Sequence, residues 1–132
     1  MGYRLSRIAG VLVLATAVAA CGSNTTPGIH PEIRSLTDSF EFQVTAVTDY
    51  SGTLTYNWTN TGTTATVNQA TTVSSGTVTL VLTDGAGHQV YSRALSDNGT
   101  FPSASGVSGT WTVRVVFANA SGTLNFRAQK TT

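Results

Sequence analysis

The chain of 132 residues is 40% hydrophobic and 10% charged, with one cysteine, two histidines, three prolines, thirteen glycines and a formal charge of +1. This is room for one domain of ordinary size, ~100–150 residues. One cysteine excludes an intramolecular disulfide framework and a cysteine-based zinc cluster, and two histidines leave little for a histidine metal site. The near-neutral balance excludes nucleic acid as a partner, because displacing counterions from phosphates needs a basic face.

The chain opens with Arg4 and Arg7 and no acid, followed by an uncharged run of thirteen small and apolar residues from Ile8 to Ala20. A basic segment and a short apolar run make a secretory signal peptide. A membrane span would need ~20 apolar residues, and a buried amphipathic helix would show a polar face at helical spacing, which this run lacks. The run ends in Val18-Ala19-Ala20-Cys21, which resembles the lipobox of bacterial lipoproteins. That resemblance implies removal of residues 1–20, a diacylglyceryl group on the Cys21 thiol and an acylated new amino terminus. It makes Cys21 a lipid attachment point and the membrane a partner, since two or three acyl chains hold far better than one. Gly22 follows the cysteine where an aspartate would favour retention, so the resemblance implies the outer membrane in a diderm cell and the outer face of the plasma membrane in a monoderm. Without the signal, five basic residues face six acidic ones and the side-chain balance becomes −1.

Residues 21–38 are rich in Gly, Ser, Asn, Thr and Pro, and are expected to form a flexible tether, unless Ile29 and Ile33 dock on the domain. From residue 39 to 132 the pattern has period two. Phe40, Phe42, Val44 and Ala46 form the first apolar face, and Leu54, Tyr56 and Trp58 the second. Ala65 and Val67 mark a weaker strand, and Val78, Leu80 and Leu82 another, with Val81 as its one break. Trp111, Val113, Val115 and Phe117 precede a last set of Leu124, Phe126 and Ala128. Threonines occupy the intervening positions, as suits half-exposed strands. Asp84-Gly85-Ala86-Gly87 and Asn119-Ala120-Ser121-Gly122 have the length and composition of hairpin loops. A Ser-Gly-Thr-apolar echo begins at Ser51, Ser75, Ser108 and Ser121, with no fixed period, and each copy reads as a glycine turn leading a large residue into the core. The pattern predicts an all-β fold, a single antiparallel β-sandwich of jelly-roll or immunoglobulin-like type with seven to eight strands.

No catalytic constellation is found. Gly106-Val107-Ser108-Gly109 lacks the spacing of a nucleophile elbow, and zinc-protease, phosphate-loop and EF-hand motifs are missing. His88 and Asp84 read as turn residues, and Asp84 and Asp97 are too few for calcium, which takes six to eight oxygens. No metal, cofactor or enzyme activity is therefore expected. Tyr56, Trp58, Trp111, Phe117 and Phe126 fall on apolar faces and are assigned to the core. Tyr50, in an expected turn, with Tyr91 and Phe101, the last in an expected Ser96–Ser108 loop, are the candidate ligand-binding residues.

The segment from Gly76 to Ala128 resembles small jelly-roll modules of the pre-peptidase C-terminal type, with galactose-binding-like topology. The matching stretches are Leu80-Val81-Leu82-Thr83-Asp84, Gly109-Thr110-Trp111-Thr112-Val113-Arg114-Val115 and Leu124-Asn125-Phe126. The resemblance implies a non-catalytic binding or accessory module; the ligand expected of it here is a glycan or another envelope protein. The alternative is a structural envelope component that assembles through strand edges, without a small-molecule ligand.

Overall fold

A computed structural model describes residues 29–131. The signal segment and Cys21 lie outside the described residues. Seven strands follow in order: β1 (Glu32–Leu36), β2 (Ser39–Asn60), β3 (Ala65–Gln69), β4 (Thr72–Thr83), β5 (Gln89–Ala94), β6 (Gly99–Pro102) and β7 (Gly109–Lys130). All pairings are antiparallel.

β2 and β7 are each 22 residues long and run side by side from Ser39↔Gln129 to Asn60↔Gly109. β3 and β4 continue one another along the other flank of β7, from Ala65↔Lys130 to Thr83↔Thr112. β5 and β6 do the same beside β4 and β3. The result is four long arms, each bent near its middle, with β1 added beside the first half of β2.

The bends fold the sheet over into two layers. One layer holds β1, the start of β2, the end of β7, β3 and β6. The other holds the end of β2, the start of β7, β4 and β5. Contacts across the layers establish the fold-over. The Phe40 and Tyr56 rings lie 5.7 Å apart, Trp58 Nε1 donates to the Leu36 carbonyl at 3.0 Å, and Asp38 N donates to the Thr59 carbonyl at 2.8 Å. The protein is thus an antiparallel β-sandwich, as the period-two pattern predicts.

Two expected boundaries move. β2 is one strand where two were expected, and Asn119–Gly122 is no hairpin loop but a bend inside β7. Register shifts occur at Val44/Val47, Val47/Tyr50 and Tyr50/Gly52 in β2, and at Val73/Ser75 and Ser75/Thr77 in β4. Around them the backbone enters the left-handed region at Ala46 (φ 56°), Asp49 (φ 45°), Gly76 (φ 70°) and Asn119 (φ 49°). Such bulges bend a strand without ending its ladder. Three of the four Ser-Gly-Thr echoes sit on this fold line, and the glycines of all four have positive φ. In every copy the threonine is exposed, while Val78, Trp111 and Leu124 are buried and Leu54 is half-buried.

The expected tether also shortens. Residues 32–36 form β1, and Ile29 is buried in the core with Ile33 packed against it. The physical reason is that Ile29 is buried and Ile33 partly so, while the backbone of residues 32–36 is paired along β2, which together hold a short polar segment in place. Trp58, Trp111, Phe117 and Phe126 are all buried and Tyr56 packs against the core, in agreement with their assignment. The two indoles meet edge to face at 5.8 Å.

At Gly122 an added Cβ would lie 2.0 Å from the Thr72 carbonyl oxygen, and at Gly76 2.1 Å from that of Asn119. Both glycines let β4 and β7 touch where they bend. Gly122→Ala is expected to destabilise the domain by ~2–4 kcal/mol in urea unfolding. The control Thr123→Ala, a step further along and exposed, is expected to change stability by less than ~0.5 kcal/mol.

Candidate functional site

The three aromatic candidates do not form a common surface. Tyr91 is 6% exposed, and its hydroxyl donates to Gln69 Oε1 at 2.7 Å. Burial pushes its phenol up to about 12. The Gln69 amide, itself buried, donates from Nε2 to the carbonyls of Ala94 at 3.1 Å and Asp97 at 2.5 Å. Beside it Thr71 Oγ1 donates to the Leu95 carbonyl, and Asn98 exchanges two hydrogen bonds with the Thr71 backbone, at 2.8 and 3.0 Å. Tyr91 is therefore a structural clasp tying β5 to β3 across the layers. The sequence places it off the apolar alternation because Val90 and Tyr91, the second and third residues of β5, are both buried.

Tyr50 lies at a bend within β2, not in a turn, and is half-buried with its ring edge-on to Phe117 at 4.9 Å. Phe101 belongs to β6, inside the span expected to be loop, and is half-buried beneath the Arg93 guanidinium, 3.7 Å from the ring centroid. Arg93 is held in turn by Asp97 at 3.4 Å. Both rings are thus engaged within the domain, Tyr50 by Phe117 and Phe101 by Arg93.

Asp84 is buried at the end of the domain where the connections gather. Its Oδ1 accepts from Ala86 N at 3.0 Å and His88 N at 2.8 Å, and its Oδ2 from Val107 N at 2.9 Å. The His88 backbone donor leads in holding the carboxyl down to about 2, against the opposing effect of burial. The His88 ring, 3.5 Å away, is itself 75% exposed. This carboxylate staples the β4–β5 turn to the segment before β7, which extends its expected turn role. Among the described residues no group of three or more His, Cys, Asp or Glu could hold a metal ion.

What the sequence did not disclose is the outer face of the first layer. The strand register aligns Arg34, Glu41, Arg127 and Asn68 in one row across β1, β2, β7 and β3, and Glu32, Gln43 and Asn125 in the next. Arg127 Nε lies 3.5 Å from Glu41 Oε2. These side chains border a shallow cleft of ≈ 480 Å³. Exposed ion pairs contribute only ~0–1 kcal/mol to stability, so folding does not depend on this charged row. The signal was present in the alternation Glu32, Arg34 against Ile33, but the segment's composition masked it as a strand.

No family model matches the chain, and no curated protein matches it. Among solved structures it is similar to procruciferin, an 11S globulin from Brassica napus, at 16% identity and a TM-score of 0.35. That match covers 70% of this chain, which spans 22% of the globulin chain's length.

Two outcomes test these assignments. Tyr91→Phe leaves Gln69 Oε1 without its donor and is expected to destabilise the domain by ~1–3 kcal/mol by urea unfolding. For Asp84 the sign is that of a depressed carboxyl: its stabilisation is full above the ordinary value of 3.8 and is lost as pH falls through about 2. Asp84→Asn is expected to lower the Tm by several degrees at neutral pH and to flatten the fall in Tm across that acid window, measured by circular dichroism.

Proposed function

We propose that this chain is an extracytoplasmic lipoprotein, anchored through Cys21, whose sandwich is a non-catalytic accessory module that docks another envelope protein. The anchor rests on the order of Arg4, Arg7, the Ile8–Ala20 run and Val18-Ala19-Ala20-Cys21. The membrane that receives it is the outer membrane in a diderm cell, or the outer face of the plasma membrane in a monoderm. A protein partner is favoured over a glycan by one observation: the candidate aromatics are buried or packed, whereas the first layer exposes rows of charged and amide side chains around a cleft. Such a surface suits the polar groups of a polypeptide and lacks the stacking platform of a sugar site.

Cys21→Ala is expected to abolish lipid labelling and move the protein from the membrane to the soluble fraction; retention without the thiol sinks the anchor. A photo-crosslinking residue at Gln43 is expected to give an adduct of defined mass in intact envelopes. The same residue at Thr55, on the outer face of the other layer, is expected to give none. Equal labelling from the two positions removes the docking face.

A further inference from the structure

We infer that β1 is a self-pairing edge, through which two copies of this chain join their first layers into one continuous antiparallel sheet. The inference rests on the anchoring proposed above and places a second copy at the edge of the first layer, beside the docking face and not on it. Among the described residues β1 is paired on one side only, with β2. Unpaired strand edges are templates for further strands, and five residues carrying charge are the usual guard against indiscriminate pairing. Here the charges select one register instead.

A two-fold axis perpendicular to the sheet keeps each residue on its own face, so only registers that oppose residues of like parity are allowed. Centring on Glu32 opposes two carboxylates, and centring on Arg34 opposes two guanidinium groups; directly opposed like charges are destabilising. Centring on Ser35 sets Arg34 against Leu36. Centring on Ile33 sets Glu32 against Arg34 of the second copy, twice by symmetry. It also brings the two Ile33 side chains, each packed against its own core, together on the inner face. The outer row then alternates in charge from Arg127 through Glu41 and Arg34 to Glu32 of the second copy. In this register only Glu32, Ile33 and Arg34 of each β1 overlap, which makes a weak interface in solution. Confinement of both copies to one membrane raises their effective concentration and makes such an edge sufficient.

The register can be read by disulfide trapping in the full chain in native membranes. Directly opposed residues have Cα atoms ~4.5–5.5 Å apart, within the ~4.4–6.8 Å that a disulfide spans. Ile33→Cys is expected to form an oxidised dimer, and Ser35→Cys, four residues out of register with its mate, is expected to form at least tenfold less. In the Ile33→Cys background, Glu32→Arg alone and Arg34→Glu alone are each expected to lower the trapped dimer about tenfold. Co-expression of the two is expected to restore it, because every opposed pair in the mixed dimer is then of opposite sign. Melting curves of each variant exclude misfolding as the cause of a loss, and restoration on mixing requires both chains to be folded. No dimer from Ile33→Cys, equal trapping at Ser35→Cys, or trapping indifferent to the charge changes overturns the proposal. An adduct from Gln43 to a different protein, with no dimer at Ile33→Cys, overturns self-pairing while leaving the docking face standing.

Discussion

The bend line across the middle of the sheet is the constraint on which everything else depends. An antiparallel ladder wants to continue straight, and here it must turn over on itself while β2 and β7 stay paired for almost their whole length. Left-handed backbone at Ala46, Asp49, Gly76 and Asn119 supplies the turn, and Gly76 and Gly122 supply the clearance. Left-handed conformations cost a non-glycine residue ~1–2 kcal/mol each. That cost is carried by the aromatic core the fold-over creates, where Phe40 and Phe42, stacked with Phe126 in one layer, face Tyr56 from the other.

Because every arm passes through both layers, the connections collect at the end opposite the bend. There Asp38 accepts from Thr61 N at 2.7 Å and pairs with Lys130 at 3.4 Å, while Asp84 gathers its three backbone donors. The Thr61 backbone donor holds Asp38 below its ordinary value. Two of the six acids of the chain thus join segments distant in sequence through backbone donors. The Glu41–Arg127 pair on the outer face of the first layer also joins distant segments, but as an exposed pair it adds little to stability.

Much of the fold was legible in the sequence, since alternation of apolar and threonine positions is a local signal. The apolar positions of β2, β4 and β7 are buried as that signal demands, from Phe40 and Leu80 to Trp111 and Phe126. The failures have a common cause. Asn119-Ala120-Ser121-Gly122 has the chemistry of a hairpin loop, yet whether a left-handed residue reverses the chain or only bends it is decided by the neighbouring strands, which the local sequence does not name. Tyr91 was misplaced for a related reason: its partner Gln69 is 22 residues away. β1 was read as tether because five residues with one buried-side isoleucine are too short to show a period. The outer charged row depends on register between strands far apart in the chain, and register is not written in any single strand.

The central place of β7 has a consequence for how the molecule is made. It is the strand between β2 and the β3/β4 arm in both layers, and it comes last of the seven in chain order. Neither layer can close before residues 109–130 are present, so the earlier arms lack their central partner until then. Contacts of such long sequence separation fold slowly. A fragment that stops before residue 109 therefore lacks the one strand that joins its arms in both layers.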